Sequence, residues 1–132
     1  MKVANNKQLA DLQKEFEQQF PYLIIQFYNA PYQRGRSCNK SFLLDPKLTV
    51  GSVRQNNNTG YFTLDEKMAV GSFEQLLWDL YGLHVQVFRK SYGKWLQTWA
   101  TDNWSLQDQN QRSQIRGDIS AKKLKQLSSS LS

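Results

Sequence analysis

The run from Ser72 to Ala100, SFEQLLWDLYGLHVQVFRKSYGKWLQTWA, reads as helix, glycine stop, strand, tight turn and strand. Ser72 suits an N-cap, because its hydroxyl accepts a bond from an orphaned N–H of the first helical turn, and Gln75 three residues on can bond back. Phe73, Leu76, Leu77, Leu80 and Tyr81 then recur at helical spacing. Gly82 tolerates the left-handed conformation that ends a helix, and Leu83 is placed to pack back on Trp78. From Leu83 the period becomes two: Leu83, Val85 and Val87 point one way, His84, Gln86 and Phe88 the other. Ser91-Tyr92-Gly93-Lys94 is a hairpin loop with Gly93 for a positive φ, and Trp95 to Ala100 is the returning strand. This register sets Lys90 against Trp95, Phe88 against Gln97 and Gln86 against Trp99. One face is then small and aliphatic, suited to a helix, while the other carries His84, Phe88, Trp95 and Trp99.

Upstream, Asn5 or Asn6 is expected to cap a first helix with Leu9, Leu12, Phe16 and Phe20 as its apolar stripe, stopped by Pro21. Tyr22 to Tyr28 is a strand with apolar residues on both sides, as a covered position requires. Asn29 to Pro46 is a long loop, Lys47 to Gln55 holds one short helical turn, and Tyr61 to Leu64 is a short strand. Downstream, Ser105 followed by Asp108 caps a polar helix ending at Gly117. Ile119, Ser120 and Leu124 then form a staple pattern that opens a basic C-terminal helix or tail. Two internal echoes recur. LADLQKEFEQQFPYLIIQFY and SFEQLLWDLYGLHVQVFRK share the order helix, breaker, strand, and TVGSVRQ at Thr49 returns as AVGSFEQ at Ala69. Both are short enough to arise by convergence, since a helix feeding a strand is a common way to bury one stripe on one sheet.

These elements imply an α+β fold: helices on one face of a small mixed or antiparallel sheet of about four strands, with a C-terminal helix. Residues 1–117 form a single domain, and 118–132 the basic tail. At 132 residues the chain supports one ordinary core. Its single cysteine, Cys38, excludes an intrachain disulfide framework, and no apolar run is long enough to span a bilayer or serve as a signal-peptide core, so a cytoplasmic protein is expected. The formal charge is +6 and unevenly spread. Between Asn29 and Asn58, Arg34, Arg36, Lys40, Lys47 and Arg54 stand against Asp45 alone. A field of this sign attracts anionic partners without naming one.

The helix into FPYLIIQF, the TVGSVR turn, the GYFTL strand and VGSFEQLLWDLYGLHVQV together resemble a family of small uncharacterised bacterial proteins with a helix, an F/Y-G-L-x-V-Q-V strand and a hairpin. The resemblance covers roughly residues 5 to 105. It implies a compact α+β domain and supplies no activity; Tyr81 stands where that pattern has Phe, and the tail after Gly117 is extra.

No motif carries catalysis. His84 is the only histidine, with no Cys, Asp or Glu at ligand spacing, and an acid–base role needs a positioned partner. Cys38 reads as an ordinary loop thiol, and the paired carboxylates Glu15 with Glu17 and Asp65 with Glu66 as solvated charges. Gly51-Ser52 and Gly71-Ser72 lack the longer glycine pattern and the Lys-Ser/Thr of a phosphate loop, so helix capping explains them. No cofactor, metal or small-molecule substrate is expected, and no membrane partner. The sheet face offers two readings. In one, Tyr28, Phe88, Trp95 and Trp99 form a stacking platform rimmed by Arg34, Arg36, Lys90 and Lys94, which would suit single-stranded nucleic acid. In the preferred one, the C-terminal segment, with Leu124, Leu127 and Ile119 as lids, or a second subunit covers those aromatics. The expected function is a noncatalytic interaction module with a protein partner or a homodimer, and nucleic-acid binding is the alternative.

Overall fold

A computed structural model describes residues 1–114 of the chain. The fold is α+β. Strand β1 (Lys2–Val3) leads into helix α1 (Leu9–Gln19), strand β2 (Leu23–Tyr28), a long loop with a 3-10 turn at Lys40–Phe42, and the short helix α2 (Val50–Val53). Strand β3 (Gly60–Tyr61), helix α3 (Val70–Tyr81), strands β4 (His84–Ser91) and β5 (Lys94–Gln97), a second 3-10 turn (Trp99–Thr101) and helix α4 (106–114) follow. The main sheet is antiparallel, in the order β2-β4-β5.

α1 and α3 lie on one face of this sheet. Leu9, Leu12 and Phe16 of α1 and Val70, Phe73, Leu77 and Tyr81 of α3 bury against Leu23, Ile25, Phe27, Leu83, Val85 and Val87. The Phe16 and Phe73 rings stack between the two helices with centroids 5.4 Å apart. The alternation from Leu83 therefore performs as expected. Four details differ from the sequence reading. Gly60–Tyr61 pairs with Lys2–Val3 in a separate two-stranded ladder, so the main sheet has three strands rather than four. α1 starts after Gln8, whose side chain and that of Asp11 form the capping box, not after Asn5 or Asn6. α3 starts after Ala69 rather than Ser72, and its buried stripe runs Val70, Phe73, Glu74, Leu77, Tyr81, which leaves Leu80 exposed. Trp99 lies in the 3-10 turn, not on a strand. Ser105 does cap α4, its Oγ accepting from the Asp108 N–H at 3.0 Å. Ile119, Ser120, Leu124 and Leu127, and the tail they belong to, lie outside the described residues.

The early start of α3 has a physical cause. The first N–H groups of a helix lack intrahelical partners. Here they are met by carbonyls of a distant turn. Leu9 and Ala10 N–H donate to Leu48 and Pro46 carbonyls (both 2.9 Å), and Val50 and Gly51 N–H return to Lys7 (2.8 Å) and Asn5 (3.1 Å). The same exchange joins α3 to α4: Val70 and Gly71 donate to Trp104 (2.9 Å) and Asp102 (2.7 Å), while Leu106 and Gln107 donate to Met68 and Glu66 (both 2.9 Å). Helix starts thus meet in two matching pairs. That explains the VGS echo. A Cβ on Gly51 would sit 3.1 Å from the Asn5 carbonyl oxygen, and one on Gly71 2.7 Å from Arg34 Nε and 2.9 Å from Asp102 Oδ2. Glycine at both places lets the opposing turns approach.

Candidate functional site

The face of the sheet away from the helices is roofed by the loop after β2. His84 Nδ1 lies 2.8 Å from the Ala30 carbonyl and its Nε2 lies 2.9 Å from Gln86 Nε2. A carbonyl only accepts and an amide nitrogen only donates, so Nδ1 carries the proton and Nε2 accepts. Burial pushes the imidazole pKa down, consistent with that neutral tautomer. The Gln86 amide also reaches the Arg36 carbonyl (3.4 Å), and Gln97 Nε2 donates to the Cys38 carbonyl (3.2 Å). Tyr28 packs on the His84 ring under this roof, only 3% exposed, its phenol pushed up to about 12 chiefly by burial. The Cys38 thiol is pushed up by burial as well, away from the thiolate that a nucleophile requires.

A buried polar junction ties the roof to α3. Glu74, on the core side of its helix and 2% exposed, accepts from the Val87 N–H through Oε2 (2.8 Å) and from the Tyr32 hydroxyl through Oε1 (2.9 Å). Loss of hydration pushes its carboxyl up to about 8; nearby Asp102 adds to the rise, while the two hydrogen bonds and Arg34 oppose it. The Tyr32 phenol is raised too, by burial and by Glu74. Arg34 packs beside Gly71 at the start of α3 with Asp102 across from it, so it does not join the hairpin surface. Periodicity begun at Phe73 passes over Glu74. Counted from Val70, it falls at i+4 on the apolar stripe, which is the signal that marks it as buried. No such signal marks Tyr32, whose placement depends on the loop's tertiary path.

The β4–β5 hairpin stays open. Its register is Phe88 opposite Gln97, Arg89 opposite Leu96, Lys90 opposite Trp95 and Ser91 opposite Lys94, joined by Tyr92 and Gly93, both at positive φ as in a type I′ turn. Trp95 lies on the face away from α3, beside Lys90. The strand stops where Thr98 leaves extended geometry (φ −101°, ψ 17°), with both its N–H and its Oγ1 bonded to the Val87 carbonyl (3.2 and 2.9 Å). That turn puts Trp99 past the strand end, lining a shallow hollow with Gly35, Arg36 and Ser37 rather than standing opposite Gln86. Tyr92 (64%), Trp95 and Leu96 (each 42%) and Trp99 (46%) remain exposed. The structure thus keeps Phe88, Lys90, Lys94 and Trp95 on the hairpin and sets Trp99 and Arg36 beside it, but withdraws Tyr28 and Arg34.

The outer edge of β2 is partly covered. Along β2 the Ile25 carbonyl accepts from Gln13 Nε2 (2.9 Å), the Phe27 carbonyl accepts from the Leu44 N–H (2.9 Å), and the Asn29 N–H donates to the Phe42 carbonyl (2.8 Å). Where β4 runs past the end of β5, the Val87 N–H donates to Glu74 and its carbonyl accepts from Thr98. Along β5 the alternation directs the N–H and C=O of Trp95 and Gln97 outward, and among the described residues nothing bonds them. Beside this edge is an open hollow of about 580 Å³, bounded by residues 37–40 on one side and Arg89, Leu96, Gln97 and Trp99 on the other. Among the described residues no cluster of His, Cys, Asp and Glu could hold a metal ion, and no helix is long and apolar enough to cross a membrane. Compared by sequence and by structure, the chain matches no family model, no curated protein and no solved structure.

Proposed function

We propose that this chain is a noncatalytic cytoplasmic interaction module that engages a protein partner through the outer surface of the β4–β5 hairpin. The observation that carries the reading is the run of exposed side chains Tyr92, Trp95, Leu96 and Trp99 on one short excursion of the chain. Large aromatics cost apolar hydration when left in water, and they supply most of the binding energy where interfaces form. Two aspects of the surroundings support a partner rather than a reaction: both nitrogens of the only histidine are committed to holding the roof, and the only thiol is kept protonated. Single-stranded nucleic acid is less well served, because Tyr28 and Arg34 are withdrawn from the platform that stacking and phosphate tracking would need.

Photocrosslinking in lysate of the source cells tests this. A photoreactive p-benzoylphenylalanine at Tyr92 is expected to yield a discrete protein adduct that is absent when the probe replaces Gln18 on the exposed side of α1, and that disappears in the Trp95→Ala/Trp99→Ala background. Equal labelling from both positions, or an adduct removed by nuclease, would overturn the proposal.

A further inference from the structure

We infer that the partner docks as an added β-strand along the outer edge of β5 and presents acidic side chains to it. The inference rests on the hairpin being the contact surface and specifies the chemistry of what binds there. An unpaired strand edge is a template for a further strand, and sheets that take up an extended peptide do so along such an edge. In this fold the outer edge of β2 is partly covered by a side-chain amide and by residues 42–44, and Val87 of β4 is met by Glu74 and Thr98, whereas Trp95 and Gln97 of β5 offer two outward N–H and C=O pairs, on a strand whose side chains are largely exposed, beside an open hollow. An incoming strand would gain ladder bonds from these groups, with alternate side chains reaching Trp95 on one face and Leu96 on the other.

Charge selects the occupant. Lys94 lies on β5 itself, Lys90 stands opposite Trp95, and Lys40 borders the hollow, all three exposed. A second copy pairing edge to edge would bring a second set of these lysines to the same edge in a chain of net charge +6, and crowding charge of one sign is unfavourable. Residues 115–132 of this chain carry Arg116, Lys122, Lys123 and Lys125 against Asp118 alone, so they are poorly matched to this edge as well. Nucleic acid lacks the alternating amide and carbonyl groups that would complete a ladder. An extended acidic segment of another protein meets both requirements.

The test pans random peptides of about ten residues, displayed on phage, against the full-length protein and titrates the enriched sequence as a synthetic peptide. Enriched peptides are expected to carry Asp or Glu at alternate positions. Gln97→Pro removes an outward N–H without breaking a bond to β4, since proline is tolerated on the solvent side of an edge strand, and should weaken binding about tenfold, whereas Gln97→Ala should stay within about threefold. N-methylation of alternate amides in the peptide should abolish binding to the unsubstituted protein. Binding that is lost in Trp95→Ala but indifferent to Gln97→Pro and to N-methylation overturns strand addition and leaves the hairpin reading standing. Enrichment of basic peptides, or a doubled mass with no peptide captured, overturns the acidic-strand inference. Peptide binding indifferent to Trp95→Ala overturns both readings.

Discussion

Glu74→Gln is expected to unfold at nearly the same urea concentration as the unsubstituted protein near pH 5.5, and to be the more stable of the two by on the order of 2–4 kcal/mol at pH 8.5. The carboxyl is pushed up to about 8 in the fold, against an ordinary value of 4.5. The native state therefore holds this proton where the unfolded chain has released it. Between those two values the native state binds more protons, so stability falls as pH rises through the window. Protonated Glu74 keeps both contacts, with Oε2 accepting from the Val87 N–H and Oε1 donating to the Tyr32 oxygen. Glutamine reproduces that arrangement at every pH, its amide nitrogen donating to Tyr32 and its oxygen accepting from Val87. Charged groups around the site are the same in both proteins: Arg34 and Asp102 flank it, and the His84 ring meets Tyr32 edge-on. The difference between the two urea curves consequently isolates Glu74. Glu74→Ala, which also lacks the titrating group, should lie about 3 kcal/mol below Glu74→Gln at all pH values, because it strands the Val87 N–H and leaves a cavity. Parallel pH profiles for the unsubstituted protein and Glu74→Gln would show that the carboxylate is ionised in the fold.

The second large effect is expected at the junction of α3 and β4. Gly82 has φ +63°, and a Cβ there would lie 2.7 Å from the Gln55 nitrogen and 2.8 Å from the Asn56 nitrogen, both backbone atoms. Those atoms cannot withdraw cheaply. The Gln55 N–H donates to the Gly82 carbonyl (3.1 Å), and the side chains of Asn56 and Asn58 donate to the Leu80 carbonyl (3.3 and 2.8 Å). The asparagine run is thus the C-terminal cap of α3, supplying donors to a helix end that has spare acceptors. Gly82→Ala should cost about 3–5 kcal/mol, the sum of left-handed strain and the displacement of this cap. Gly93→Ala is the control: φ is +81° but the space is open, so only the conformational cost of about 1 kcal/mol is expected. Urea midpoints at pH 7 measure both, and equal losses would mean that the 55–58 segment does not press on the helix end.

Much of the fold is legible in the sequence because its central unit obeys local rules. The glycine stop at Gly82, the period-two run from Leu83 and the tight turn at Tyr92-Gly93 are short-range signals, and they led to the observed pairing of Lys90 with Trp95 and of Phe88 with Gln97. What escaped depends on distant partners. The start of α3 is displaced from Ser72 because its first two N–H groups bond to Trp104 and Asp102 instead of a local hydroxyl. The roof over Tyr28 and His84 is built from amide side chains reaching loop carbonyls at Arg36 and Cys38, contacts that leave no periodicity in the chain. Within the candidate surface, strand alternation places Phe88, Lys90, Lys94 and Trp95, but Trp99 escapes it because Thr98 turns back on Val87. Tyr28 obeys the alternation and is nonetheless buried, because the loop returns across that face.

Hydrogen exchange at individual amides of the purified full-length protein tests most directly whether β5 presents a free edge. The N–H groups of Trp95 and Gln97 are predicted to exchange as freely as those of an exposed loop, while those of Lys94 and Leu96, which point toward β4, are protected. Protection of Trp95 and Gln97 matching that of Leu96 would mean that the edge is already occupied, and would contradict the account.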